Sequence, residues 1–292
     1  MRLRHDLNPN QIAFYEPMAD LRGVAIPHRG GDGANSEGID KQNTVAAFCS
    51  AAQTLSRYGL PPYAEIDLSV TEDGEIVVIH GSGTPRQRFA TTPEIPTRRE
   101  ISHMTLSEVQ KFVRVGNEPV PTFNQALEAV PGMKFFVDPK NDSTAKVLIK
   151  YLLNNPAALE RVCVGSFSER RNQMFAEVMG DKRPAMTLAL GGAATLLRLL
   201  SRGDTEVVSN FIGQSYASSA TALQYFRHMR GGEYLDQIRE QLPVFGHVWL
   251  PSKLTREHAL RLTSCYDGIM ANQTEIIAEV VASHNSGTNI SE

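Results

Sequence analysis

The sequence predicts an α/β fold, a (β/α)₈ TIM barrel with an insertion after the third strand, and three observations carry that expectation. Short β-branched runs alternate with longer helical patterns, which points to a parallel sheet. The strand-like runs number eight, and 292 residues is the usual length of one closed barrel rather than of two ordinary domains. A single long stretch, residues 81–121, breaks the alternation after the third run. The whole chain, 1–292, therefore reads as one barrel carrying an insertion or lid over about 81–121.

The predicted strands are 24–28, 64–68, 76–80, 135–138, 162–166, 185–190, 244–250 and 268–271. Between the first two, residues 44–57 form a helix that Thr44 can cap, with Val45, Phe48, Cys49, Ala52 and Leu55 on one apolar stripe. Weaker helical patterns cover 106–114, 123–130, 144–154, 169–179 and 257–263. The segment joining the second and third runs, "TEDG", is only a tight turn. A parallel crossover needs a dozen residues or more, so this pair predicts a hairpin-like departure from regular barrel order. In 81–121 glycine, proline, threonine and arginine dominate the first half and a short helix follows. A long loop leaving the C-terminal end of a barrel strand hangs over the mouth. Residues 227–241 read as another long connection, and the last ten residues as a frayed tail.

Composition narrows the function classes. Hydrophobic residues make up 41%, charged residues 21%, and the net charge is −3. The core can be large, and nothing electrostatic calls for nucleic acid or an anionic membrane surface as a partner. The 3 cysteines are far apart and lack a paired spacing, which fits a reducing, cytoplasmic compartment. The charged N-terminal stretch has no signal-peptide pattern, and no run approaches the roughly 20 apolar residues of a membrane-spanning helix.

Chemistry concentrates at the predicted strand tips. With side chains alternating along each strand, Val24, Ile26 and His28 share a face, as do Glu65 and Asp67, Ile76, Val78 and His80, and Phe136, Asp138 and Lys140. If those faces point inward, two histidines, three carboxylates and a lysine converge on one rim. Three clustered carboxylates repel one another unless a cation joins them, and oxygen ligands suit Mg²⁺ or Ca²⁺. Glu65, Asp67 and Asp138 are the expected metal ligands. His28 and His80 are the expected acid/base pair, because imidazole titrates near neutral pH. Arg29 and Lys140 supply charge of the kind that holds a phosphate. Singly, each histidine reads more readily as a hydrogen-bonded strand-end residue; the convergence carries the functional reading. His247, between Phe245 and Trp249, reads as a core histidine.

The ordered motifs "HRG", "QNTVAAF", "AEIDLSVTEDGEIVVIH", "VPTFNQALE", "FFVDPK", "GSF" and "YDGIMAN" resemble the glycerophosphodiester phosphodiesterase family. The resemblance runs over nearly the whole chain. It implies a (β/α)₈ barrel with an insertion, one divalent cation, and hydrolysis of small glycerophosphodiesters to glycerol 3-phosphate and an alcohol. It implies the same roles for His28, His80, Glu65, Asp67, Asp138, Arg29 and Lys140, and adds Trp249 as a pocket-lining residue. The chain departs from the family pattern at Gln42, where glutamate is usual, at Gly81, where aspartate is usual, and at Asp138, commonly a glutamate. Two other readings compete: a phospholipase D-like lipid phosphodiesterase, which an apolar lid rim would favour, and a non-catalytic metabolite-binding barrel. The polar lid speaks against the first, and the complete set of histidines and carboxylates against the second.

Overall fold

In a computed structural model, the structure describes residues 22–31, 42–80, 90–91, 100–115, 118–166, 168–189, 222–226, 244–248 and 254–287. Among them, one nine-stranded sheet comprises β1 (Val24–Pro27), β2 (Tyr63–Val70), β3 (Ile76–Val78), β7 (Lys134–Pro139), β8 (Val162–Ser166), β9 (Ala185–Ala189), β10 (Ala222–Phe226), β11 (Val244–Val248) and β12 (Gly268–Ala271). Its order is β1-β12-β11-β10-β9-β8-β7-β2-β3. Every neighbouring pair is parallel except β2 and β3. The sheet is an α/β sheet of eight parallel strands with one antiparallel arm.

Two strand expectations are corrected here. The run 76–80 is not a barrel-type strand: β3 folds back on β2, with Leu68 opposite Val78 and Val70 opposite Ile76, as the short "TEDG" turn requires. The eighth parallel strand is instead β10, for which "ALQYF" gave too few β-branched residues to register as a strand. The insertion therefore leaves the end of a hairpin arm, not a third parallel strand. Nor is it structureless: β4 (Ala90–Thr91), β5 (Val113–Val115) and β6 (Glu118–Pro119) form a small antiparallel sheet. Val77 and Ile79 join Ile101, Met104, Val109, Val113, Val115 and Val120 in a core of its own.

The helices follow their caps. In α1 (Val45–Arg57), Thr44 accepts the Ala47 N–H. In α2 (Leu106–Phe112) and α3 (Phe123–Ala129), Thr105 with Glu108 and Thr122 with Gln125 close reciprocal capping boxes. Asn141 caps α4 (Asp142–Asn154), and Pro156 opens the short α5 (Pro156–Leu159). α6 (Glu169–Met179) and α7 (Arg256–Cys265) match the sequence pattern. α8 (Thr274–Ser286) ends at Gly287 with φ 66°, so the start of the segment read as a frayed tail, residues 283–286, is ordered helix.

Two apolar layers flank the sheet. On the outer face Ala64, Ile66 and Leu68 pack with Phe48, Phe123, Phe135, Leu148 and Phe175. On the inner face Val24, Ile26, Tyr63, Phe136, Cys163, Phe245 and Met270 make a second cluster. Phe245 of β11 meets Phe136 of β7 edge-on, with ring centroids 5.4 Å apart. Three strands separate those two in the sheet, so the sheet curls strongly around this inner plug.

Candidate active site

The inner face carries the charge, one layer above the plug. Glu65 and Asp67 continue the face of Tyr63, and Asp138 continues that of Phe136. Parallel pairing in register sets Asp67 directly opposite Asp138. Asp67 is 0% exposed, and His28, Glu65 and Asp138 are at most 7% exposed. Three buried carboxylates need partners close at hand.

Lys140 and Arg29 are those partners. The Lys140 ammonium lies 2.6 Å from Asp138 Oδ2 and also pairs with Asp67 Oδ1. Arg29 Nε is 2.9 Å from Asp67 Oδ2, and its Nη1 donates to Gln42 Oε1 at 3.3 Å. Asn43 adds a neutral clasp: its Nδ2 donates to Asp67 Oδ2 at 2.8 Å, and its Oδ1 accepts the Asp67 N–H at 3.2 Å. Arg171 Nη1 stands 3.9 Å from Asp138 Oδ1 and donates to the Pro139 carbonyl.

The turn after β1 is bent to serve this arrangement. Arg29 has φ 58° and Asn43 has φ 60°, a region that costs a non-glycine residue about 1–2 kcal/mol. The bend aims the Arg29 N–H at Glu65 Oε2, 2.9 Å away, and Asn43 N donates to Arg29 O at 2.8 Å. These bonds hold the strained residues in place.

Electrostatics divide the three acids. Burial would raise Asp67, but Lys140 and Arg29 together outweigh it and hold its carboxyl well below the usual range, with His80 and His28 helping. Burial raises Glu65 well above its ordinary value, and the neighbouring Asp67 charge pushes the same way. Asp138 is also raised by burial, which Lys140 only partly offsets. Lys140 itself is raised: Asp67, Asp138 and Glu65 overcome the burial that would lower it. Burial, followed by the Arg29 charge, lowers His28 to about 3. His28 is thus neutral at pH 7, and its Nε2, 3.8 Å from Glu65 Oε2, makes no ion pair there.

The structure brings together His28, Arg29, Glu65, Asp67, Asp138 and Lys140 as the strand-tip pattern predicts. His80 follows β3, is half-buried and lies near enough to act on Asp67, although it arrives on a hairpin arm. Trp249 and most of the first half of 81–121 lie outside the described residues. Lys140 and Arg29 pair with Asp67, so cations of the chain itself offset part of the carboxylate charge. Among the described residues no three His, Cys, Asp or Glu side chains are gathered closely enough to chelate an ion. Asn43, Asn272 and Arg171 were not expected in the site. Asn43 and Asn272 stand within the quoted motifs "QNTVAAF" and "YDGIMAN", and the strand-tip rule applied to the last strand would have reached Asn272.

A profile of the Glycerophosphoryl diester phosphodiesterase family matches residues 28–256, a span that contains both histidines and all three carboxylates. The chain belongs to that family. Its fold is similar to a glycerophosphoryl diester phosphodiesterase from Parabacteroides distasonis, with TM-score 0.66, 20% identity, and coverage of 97% of this chain and 93% of that one. It is similar to a glycerophosphodiester phosphodiesterase from Agrobacterium tumefaciens, with TM-score 0.62, 18% identity, and coverage of 88% and 99%. A phosphodiesterase from Oleispira antarctica, solved in complex with the product sn-glycerol-3-phosphate, is similar at TM-score 0.58 and 16% identity over 89% of this chain and 96% of that one. No curated protein sequence matches the chain.

Proposed function

We propose that this member of the glycerophosphoryl diester phosphodiesterase family hydrolyses small glycerophosphodiesters to glycerol 3-phosphate and an alcohol, with His28 and His80 as its proton-transfer pair. The observation that carries the reading is the meeting of His28, Arg29, Glu65, Asp67, Asp138 and Lys140 on one buried rim. The curl of the sheet, with β1 and β2 bridged by the Arg29–Glu65 bond, fits a closed (β/α)₈ barrel whose mouth is this rim. The insertion over about 81–121 then stands beside the mouth as a lid. A cytoplasmic setting fits the widely spaced cysteines, of which Cys49 and Cys163 are free, and no helix among the described residues is long and apolar enough to cross a membrane.

In its chemistry, though not in its present spacing, the donor set suits a hard divalent cation, Mg²⁺ or Ca²⁺. Asp138 Oδ1 is buried without a hydrogen bond, and burial raises the proton affinity of Glu65 and Asp138 despite the nearby Lys140 charge. Glu65, Asp67 and Asp138 would hold the ion, since oxygen ligands suit it. When bound there, a divalent ion supplies Lewis-acid polarisation of a phosphoryl oxygen.

The chain's own residues supply the rest. An ammonium has three donors; Lys140 directs two at Asp67 and Asp138, and we assign the third to the phosphate. Arg29 offers its guanidinium beside it, and the family pattern assigns the organic group to Trp249. One histidine accepts the proton of the glycerol 2-hydroxyl as that oxygen bonds to phosphorus. The other donates a proton to the departing alkoxide as its P–O bond breaks. Water then opens the cyclic phosphate with the roles reversed. Because the attacking hydroxyl is tethered to phosphorus, alignment alone can contribute up to roughly 7–11 kcal/mol. The test is a comparison of a glycerophosphodiester with its 2-deoxy analogue: the first turns over and the second does not. Equal rates would show direct attack by water.

A further inference from the structure

The seam between the first and last strands holds a contact that the reaction scheme above does not use. β1 and β12 are parallel with Pro27 opposite Ala271, so the next residue of each, His28 and Asn272, face one another at the sheet's edge. His28 Nδ1 lies 2.7 Å from Asn272 Oδ1. A carboxamide oxygen can only accept, so the hydrogen of this bond resides on Nδ1. The neutral imidazole has one such hydrogen, and its lone pair is then on Nε2, the nitrogen facing Glu65.

Asn272 is itself held fast. Its main-chain carbonyl accepts the Thr274 N–H at 2.9 Å at the start of α8. The turn after His28 locks into it: Gly31 has φ 83°, and a Cβ there would run into Thr274 Oγ1 and come within 3.1 Å of the Asn272 carbonyl. The two turns therefore interlock without room for a side chain between them. A rigid acceptor beside one ring nitrogen determines which nitrogen can take a proton.

We propose that Asn272 is a positioning residue that fixes His28 in its Nδ1–H tautomer and presents Nε2 as the basic nitrogen at the carboxylate rim. The proposal rests on the reading of His28 as a proton-transfer residue, but the tautomer can be measured apart from turnover. If the amide stood the other way round, its NH₂ would donate to Nδ1 and the hydrogen would be on Nε2, pointing at Glu65. The two arrangements are opposite in a spectrum.

The experiment uses the full chain labelled with ¹⁵N-histidine and long-range ¹H–¹⁵N spectra at pH 7, with the His28 signals identified by their loss in His28→Gln. The expected result is a protonated Nδ1 and an unprotonated Nε2. Asn272→Ala should shift His28 toward the other tautomer and lower kcat by roughly 10–100-fold with KM little changed, and Asn272→Asp, which keeps an acceptor, should restore both. A protonated Nε2 in the unaltered chain overturns the proposal, and so does an unchanged His28 spectrum in Asn272→Ala. If Asn272→Ala does not fold, the unaltered chain and Asn272→Asp still decide the tautomer. A chain with the expected spectrum but no turnover of glycerophosphocholine would reject the functional reading and leave the tautomer assignment standing.

Discussion

At the scale of single residues, the site is a charge network centred on Asp67. Its carboxylate faces Lys140, Arg29 and Asn43 at once, so replacing it takes a partner from two half-buried cations, of which Lys140 keeps Asp138. Breaking such a pair from one side typically costs about 3–5 kcal/mol. Asp67→Asn should therefore lower the urea midpoint as well as abolish activity, and a midpoint equal to that of the unaltered chain would contradict the network. His28 gives a pH signature. Its ordinary value is 6.5 and folding lowers it to about 3, so the unfolded chain binds this proton first. Stability from this source is fully present above about 6.5 and is lost progressively as the pH falls toward about 3. His28→Asn should flatten part of that acid slope; identical slopes would contradict a buried neutral His28. Glu65, Asp67 and Asp138 were legible in the sequence because strand periodicity alone puts Glu65 and Asp67 on one face. Asn43 and Asn272 were not, because an amide has no charge whose repulsion asks for an explanation. Gln42 illustrates a departure that the structure accommodates: its neutral amide accepts from Arg29 and leaves the guanidinium's charge to Asp67 and the rim.

At the scale of elements, the turns decide what the strands can offer. Arg29, Gly30 and Asn43 adopt left-handed backbone, and α1 begins just after Asn43, capped by Thr44. Thr44→Ala should cost about 1 kcal/mol, within a range of roughly 0.5–2 kcal/mol, read as a shift in the urea midpoint without a change in slope. No measurable shift would mean that the α1 entry is held by the Asn43 bonds alone. The hairpin of β2 and β3 was foreseen from the four residues "TEDG", because loop length excludes a crossover. Its consequence for the count was not. Once β3 is antiparallel, another strand must complete the eight, and β10 lies where the sequence is rich in residues common to helices and strands alike. The order in 100–120 was hidden for a different reason. Its core residues Ile101, Met104, Val109, Val113 and Val120 are spaced irregularly, so no single period reveals them.

At the scale of the whole molecule, an apolar plug supports a charged rim. Phe136, Tyr63, Phe245 and Cys163 fill the inside of the curled sheet, and the next side chains along β2 and β7 are the acids. A dry floor beneath them strengthens each electrostatic contact and explains why Glu65 and Asp138 retain raised proton affinity. The chain's membership of the family and the rim's composition both support the proposal that this site breaks glycerophosphodiesters by proton transfer through its two histidines. The most direct measurement is release of glycerol 3-phosphate from glycerophosphocholine by the purified chain, before and after dialysis against a chelator, beside His28→Ala and His80→Ala. The account predicts release that falls to background without the divalent ion and returns when Mg²⁺ or Ca²⁺ is restored, with each variant slower by about 10²–10⁴-fold and still folded. Absence of glycerol 3-phosphate from the metal-supplied chain, or rates in either variant equal to those of the unaltered chain, would contradict it.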